Sequence, residues 1–392
     1  MASPPAHIYL DYAASSPVDR RVVEAMLPYF GERFGNPSSV HGFGQEAEAA
    51  LDQARRAVAA ELSCLPEEIV FTSGGTESDN LAIRGAALAA RAARGATTVL
   101  TTPVEHPAVL NAVRHLAEHH GFRLEWIPVD GEGRVDPQDV SRRLNAKTAV
   151  VSVIFGNNEI GTVNPVAAIA EACRAQGVVF HTDAVQAAAH LPIRVGELKA
   201  DLVSMGAHKF YGPKGVGVLY CRSGVDLRPI QPGGEQERGR RAGTENVPLI
   251  VGLATALRIS GAEGTSHTAR LVELRDRIIE TVPSSVPGSR LTGARRDRLP
   301  NHASFVLGGI DANRLLAALD LAGFACSSGS ACKTGDPSPS SVLLALGLEP
   351  DLALGSLRVT VGRPTAREDV DLFLDALPDI VARQRRTAVP AA

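Results

Sequence analysis

The sequence predicts an α/β protein: a large domain with a mainly parallel central sheet flanked by helices, followed by a smaller α+β domain. Three observations support this. Short β-rich apolar runs alternate with stretches of helical periodicity through residues 45–220, and the pattern changes beyond residue 260. The 392-residue length suits two or three domains, and 44% apolar and 21% charged residues describe an ordinary globular chain.

In chain order, Ala47, Ala50, Leu51, Ala54, Ala57, Val58 and Leu62 fall at helical spacing and predict a helix over 45–62. Strand-like runs follow at 69–72, 97–100, 149–155, 178–180, 202–205 and 216–220, with helical stretches such as 80–93 and 167–176 between them. Residues 250–281 read as helix, leading into a loop rich in Pro, Ser and Gly at 283–293. An apolar run at 303–307, a helix at 312–322, a Gly/Ser-rich stretch and a closing helix from Arg367 complete the chain, with a frayed tail at 385–392. A domain boundary is placed near residue 260, and no internal repeat is visible.

A net charge of −3 without a basic excess argues against nucleic acid as a direct partner. The five cysteines (Cys64, Cys173, Cys221, Cys326, Cys332) fit neither a disulfide framework nor a zinc site, so a reducing cytoplasmic setting and no metal are expected. Residues 1–10 carry no signal-peptide pattern. No apolar run of spanning length is read, so no membrane association is expected.

Five strand-like runs each end in a distinctive polar segment: Ser73-Gly74-Gly75-Thr76-Glu77-Ser78, Glu105-His106, Gly156-Asn157-Asn158-Glu159, Asp183-Ala184-Val185-Gln186 and His208-Lys209. Ligands of open α/β sheets bind outside the carboxyl ends of the strands, so five such segments on one edge describe a pocket. The glycine turn before a helix suits an anion. It is neither a Walker loop nor a dinucleotide fingerprint, and a plain helix cap explains it about equally well. Asp183 ends a run that would be buried, where a carboxylate needs a cation. A protonated pyridine nitrogen is one such partner and a structural salt bridge is the other. Lys209 closes another apolar run, and a partly desolvated lysine can form an imine. Together, Lys209, Asp183 and the anion turn point to pyridoxal 5'-phosphate (PLP). Lone histidines are commonly core residues, but His106 and His208 share this strand edge. His119, His120 and His190 do not, and are read as surface or structural residues.

Cys326 and Cys332 bracket a Gly/Ser/Pro-rich stretch predicted to be a mobile loop at about 326–341. Lys333 beside Cys332 favours the thiolate, whereas Cys326 reads as buried and inert.

Together these segments resemble the NifS/IscS-type cysteine desulfurases, of the class V aminotransferase superfamily and PLP fold type I. The match runs from Tyr9-Leu10-Asp11-Tyr12-Ala13-Ala14 to Leu357-Arg358-Val359-Thr360-Val361-Gly362-Arg363. It includes Gly35-Asn36-Pro37-Ser38-Ser39, the segments quoted above, Arg241-Ala242-Gly243-Thr244 and Ser327 to Cys332. The resemblance implies a large PLP-binding domain over 16–260, and a small domain from 1–15 and 261–392 that carries the cysteine loop. It implies that Lys209 holds PLP and moves the substrate Cα proton. Asp183 would pair with the ring nitrogen, Gln186 would bond the ring hydroxyl, His106 would stack on the ring and help catalyse acid–base steps, and Asn158 would lie beside it. Gly75, Thr76 and His208 would hold the phosphate, and Thr244 would reach the phosphate of a neighbouring protomer, giving a homodimer. Asn36 and Arg358 would grip the substrate carboxylate.

Cys332 would accept sulfur from L-cysteine as a persulfide, leaving L-alanine, for delivery to a scaffold or carrier protein. That delivery would serve iron–sulfur cluster assembly, cofactor thiolation or tRNA thiolation. A selenocysteine lyase, a class V aminotransferase and a sulfur-trafficking platform with weak catalysis are the alternatives. Gly206, where many relatives carry a phosphate-binding serine, and Pro232, where a histidine is common, depart from the pattern. The short tail after the last helix leaves the sulfur acceptor open.

Overall fold

The computed structural model describes residues 7–329 and 338–388. Twelve strands occur among them: β1 (Ile8–Tyr9), β2 (Ile69–Thr72), β3 (Thr98–Thr101), β4 (Arg123–Trp126), β5 (Thr148–Ser152), β6 (Val179–Asp183), β7 (Leu202–Gly206), β8 (Gly217–Cys221), β9 (Ser289–Leu291), β10 (His302–Leu307), β11 (Phe324–Ala325) and β12 (Ser356–Thr360).

Seven strands form the main sheet in the order β2-β8-β7-β6-β5-β3-β4. Only β8 runs against its neighbours, antiparallel to both β2 and β7. The carboxyl ends of β2, β3, β5, β6 and β7 therefore share one edge. Chain order reverses between β3 and β5, which is the switch point where open α/β sheets bind ligands.

The sheet is buried on both faces, and alternate residues divide between two apolar layers. Ile69, Phe71, Val203, Met205, Val218 and Tyr220 pack on one side, with the helices Gly42–Leu62 and Val166–Ala175. Val70, Leu202, Leu219 and Cys221 pack on the other, with the helices Gly75–Arg94 and Pro107–His120. A separate core unites the antiparallel sheet β9-β10-β12 with the helices Ala312–Leu321 and Arg367–Ala388. Leu10 joins this second core, and β1 pairs in parallel with β11.

The helix Val247–Ser285 runs 39 residues without a break at residue 260. Its first part, through Ile259, packs into the main core, and Leu271 to Val282 pack into the second. Its window Val247–Gly264, mean hydropathy 1.2, has the length and composition of a spanning segment. Here Ile250, Leu253 and Leu257 are covered by the main core. The helix also continues past Pro283, because a proline in the last turn forfeits a single backbone hydrogen bond. The edge strand β4 was missed by the sequence reading: Arg123-Leu124-Glu125-Trp126 is too short and too polar to stand out.

Candidate active site

A cavity of about 470 Å³ opens at the shared strand edge, lined by residues from all five of the predicted polar segments. After β2 the chain turns directly into the helix Gly75–Arg94, which starts at Gly75 rather than at Asn80. The glycine turn is thus the helix N-terminus itself, where first-turn N–H groups lack intrahelical acceptors. An added Cβ at Gly75 would meet Val185 Cγ2 at 2.6 Å, so only glycine lets the helix end approach the β6 loop this closely.

Asp183 ends β6 and is 4% exposed, with Oδ1 accepting from Val185 N at 2.8 Å. Burial raises its carboxyl above the usual range, while His106 and Lys209 oppose the rise. His106 caps the helix Pro107–His120, its Nδ1 accepting from Ala108 N at 3.1 Å. The ring proton of the neutral form therefore resides on Nε2. Burial lowers its pKa, the Asp183 carboxylate opposes that, and Lys209 reinforces it.

Lys209 lies in the tight turn Ala207–Lys209 after β7, and its Nζ donates to the carbonyls of Ala13 at 2.6 Å and Ala14 at 2.9 Å. Gln186 Nε2 donates to the same Ala13 carbonyl at 2.7 Å. The N-terminal Leu10–Ala14 stretch thus braces both residues. Tyr211, two residues past Lys209, adopts a left-handed φ of 64° and is held by Ser16 Oγ on its N–H at 2.8 Å. Such a conformation persists only where the surroundings impose it. His208, half-buried beside the cavity, is pulled down to about 4 by burial, so at neutral pH it offers an anion an N–H rather than a charge.

Arg358, on β12, is 3% exposed. Nη2 donates to Asp11 Oδ1 at 2.9 Å and Nη1 to Asn158 O at 3.0 Å, while buried Nε has no hydrogen-bond partner among the described residues. Arg358 lines the cavity, where a guanidinium suits a small carboxylate. At one end, then, the helix N-terminus and His208 can hold a phosphate. A buried carboxylate can meet a cationic ring nitrogen, and Lys209 can reach an aldehyde carbon. These residues fit PLP.

Gly75, Thr76, His106, Asn158, Asp183, Gln186, His208, Lys209 and Arg358 all line the cavity. Asn36 and Thr244 do not: both are exposed on the single chain, and Asn36 Oδ1 accepts from Ser38 N. Cys332 and Lys333 lie outside the described residues. Cys326 is held among apolar neighbours of the second core, and burial raises its thiol far above the ordinary range. At Gly206 an added Cβ would meet Gly75 N at 3.4 Å, an ordinary contact, so the strand has room for the serine this chain lacks.

Two ionisable lining residues, Asp79 and Glu159, had no role assigned from the sequence. Asp79 follows Gly75 by four residues, the spacing that puts two helical positions on one face, and that signal could have found it. Glu159 carried no such signal. Its role depends on Ser340, whose hydroxyl donates to Oε2 at 2.5 Å.

The class-V aminotransferase family matches residues 8–373. A protein of Dictyoglomus turgidum named cysteine desulfurase IscS is 44% identical over 378 residues, 96% of this chain and 95% of its own. A solved NifS-like protein superposes with a TM-score of 0.89 at 34% identity, covering 96% of this chain and 100% of its own. A structure of SspA in complex with cysteine superposes with a TM-score of 0.78 at 34% identity, over 90% and 98% of the two chains. This chain therefore belongs to the class-V aminotransferase family, among its NifS/IscS-type cysteine desulfurases.

Proposed function

We propose that the protein is a PLP-dependent cysteine desulfurase that converts L-cysteine to L-alanine and retains the sulfur on Cys332. The observation that supports this best is the convergence of Lys209, Asp183 and Arg358 on one cavity beside a helix N-terminus. When bound, PLP supplies an electron sink for the pair left on the substrate Cα.

The chain's own residues do the rest. Lys209 anchors the cofactor and moves the proton at the substrate Cα. Asp183 would keep a proton on the ring nitrogen, Gln186 would bond the ring hydroxyl, and His106 would lie against the ring and help with acid–base steps, with Asn158 beside it. Gly75, Thr76 and His208 hold the phosphate. Arg358 would take the substrate carboxylate, with Asn36 completing the grip. The Cys332 thiolate attacks the substrate sulfur: an S–S bond forms, the Cβ–S bond breaks, and Cβ gains a proton to give alanine. Sulfur then passes to an acceptor protein.

We also infer a homodimer in which Thr244 reaches the neighbouring protomer's phosphate site. Leu27, Phe30, Phe34, Val40 and Phe43, around Asn36, leave large apolar side chains exposed, as an association surface does.

Incubation with L-cysteine followed by intact-mass measurement tests the reading. Wild type is expected to gain one sulfur and release alanine, and Cys332→Ser to do neither. Alanine and sulfide released by Cys332→Ser at the wild-type rate would refute the nucleophile. Amine transfer to a keto acid without persulfide would favour an aminotransferase.

A further inference from the structure

Asp183 does not face the cavity alone. Asp79, on the helix Gly75–Arg94, lines the same cavity and is 1% exposed. Side-chain ligand atoms of Asp79, His106 and Asp183 all lie within 4.8 Å of one another. Glu105 stands nearby, also 1% exposed, with Oε1 accepting from Thr102 Oγ1 and Ile154 N at 2.8 Å each. Its Oε2, like Asp79 Oδ1, has no hydrogen-bond partner among the described residues. Three carboxyls thus share one desolvated region with His106 and Lys209. Two carboxylates this close repel by roughly 3 kcal/mol even at the effective dielectric of a protein interior.

The far side of Asp79 is neutral. Its Oδ1 lies 3.5 Å from His181 Nε2, the nitrogen that also meets the Ser204 hydroxyl. His181 is fully buried between Ser204 Oγ at 2.9 Å and Ser152 Oγ at 2.8 Å. Burial pulls His181 down to about 3, so it supplies no positive charge. Burial, and then Asp183, push the Asp79 carboxyl well up.

We propose that Asp79 is a positioning residue held as a neutral acid between Asp183 and the His181–Ser204 pair, leaving Asp183 the single carboxylate that meets the cofactor's ring nitrogen. This rests on the cofactor reading for what Asp183 meets, but Asp79 holds its proton with or without cofactor. A second ionised carboxylate would divide the cation's attraction and pull a proton onto one of the pair. A neutral acid of the same shape fills the wall without competing.

The test combines infrared spectroscopy with cofactor titration. Isotope-edited difference spectra of wild type against Asp79→Asn, recorded near neutral pH on cofactor-free protein, are expected to show a protonated-carboxyl stretch that the variant lacks. Its absence overturns the proposal. For PLP affinity, Asp79→Asn is expected to stay within about threefold of wild type, and Asp79→Ala to weaken it by about tenfold or more. If Asp79→Asn weakens binding as much as Asp79→Ala, Asp79 acts as an anion and the proposal fails. If Asp79→Ala binds like wild type, the positioning role fails. Should Asp79→Asn not fold, Ser204→Ala removes the hydroxyl that holds His181 Nε2 beside Asp79, and the stretch is expected to shift; an unmoved band counts against the proposal. A wild type that binds no PLP refutes the cofactor reading instead, while the infrared band still reports on Asp79.

Discussion

Glu159 sits on the substrate side of the cavity, close to Arg358 and under the hydroxyl of Ser340. Burial pushes its carboxyl up to about 7, with the Ser340 hydrogen bond and Arg358 pulling the other way. Between the ordinary carboxylate range and that value, the folded chain keeps a proton that the unfolded chain has released. At this group the native state binds more protons, so the contribution of Glu159 to stability falls as pH rises through this window. Glu105, raised to about 8 by burial, extends the fall upward. Below about pH 6.5 the buried neutral His181, His190 and His208 pull the other way, so it is between about pH 6.5 and about pH 8 that thermal unfolding of cofactor-free protein is expected to show a declining midpoint. Glu159→Gln is expected to flatten the lower part and leave the part due to Glu105. An unchanged slope in that variant would mean that Glu159 is already ionised in the folded chain. Arg358 illustrates the opposite case. Asp11 and the Asn158 carbonyl occupy its two terminal nitrogens, which fixes the guanidinium at the cavity wall.

At the scale of elements, the helix Gly75–Arg94 and the turn after β7 both line the cavity, and each is placed by a close approach. The helix end meets Val185, and β8 passes beneath it at Gly217, where a Cβ would lie 2.6 Å from the Gly74 carbonyl carbon. Gly75→Ala is expected to push the helix end off the β6 loop at a cost of about 1–3 kcal/mol and to weaken PLP binding. Val185→Ala, which removes the colliding methyl, is expected to restore both the unfolding midpoint and the affinity in the double variant. Failure of that rescue would show that the backbone conformation at Gly75, not the contact, is what matters. Across the site, Arg363 lies 4.2 Å over the Tyr211 ring and donates its N–H to the Tyr211 hydroxyl at 2.7 Å. That contact fixes the turn that aims Lys209.

For the whole molecule, the buried pair Arg55–Glu237 ties the segment carrying Thr244 to the edge of the main sheet. Glu237 accepts from both terminal nitrogens of Arg55, at 2.8 and 2.7 Å, and from Phe71 N at 3.0 Å. With Thr244 exposed on one chain and Lys209 inside it, the proposed dimer makes a mixing prediction. Lys209→Ala and Thr244→Asp homodimers are each expected to be impaired. After subunit exchange, a mixed dimer places one intact Lys209 opposite one intact Thr244. About half the sites that carry Lys209 are then expected to regain wild-type PLP affinity at a statistical mixture. No recovery on mixing, or a monomer by sedimentation, would mean that Thr244 does not serve a neighbouring site.

Much of this was legible in the residues themselves. A strand ending in a polar segment is a local pattern, and five of them placed Gly75, His106, Asn158, Asp183 and Lys209 on one edge before any coordinates. Alternating apolar runs likewise announced a sheet buried on both faces. What the chain could not disclose locally are contacts between elements far apart in sequence. The bracing of Lys209 by Ala13 and Ala14 spans almost 200 residues, and that of Arg358 by Asp11 nearly 350. The same holds for the charge state of the carboxyls. Asp79, Glu105 and Asp183 look alike in the sequence. Only burial and their mutual distance, which the tertiary structure sets, separate the acids that hold a proton from the one that gives it up.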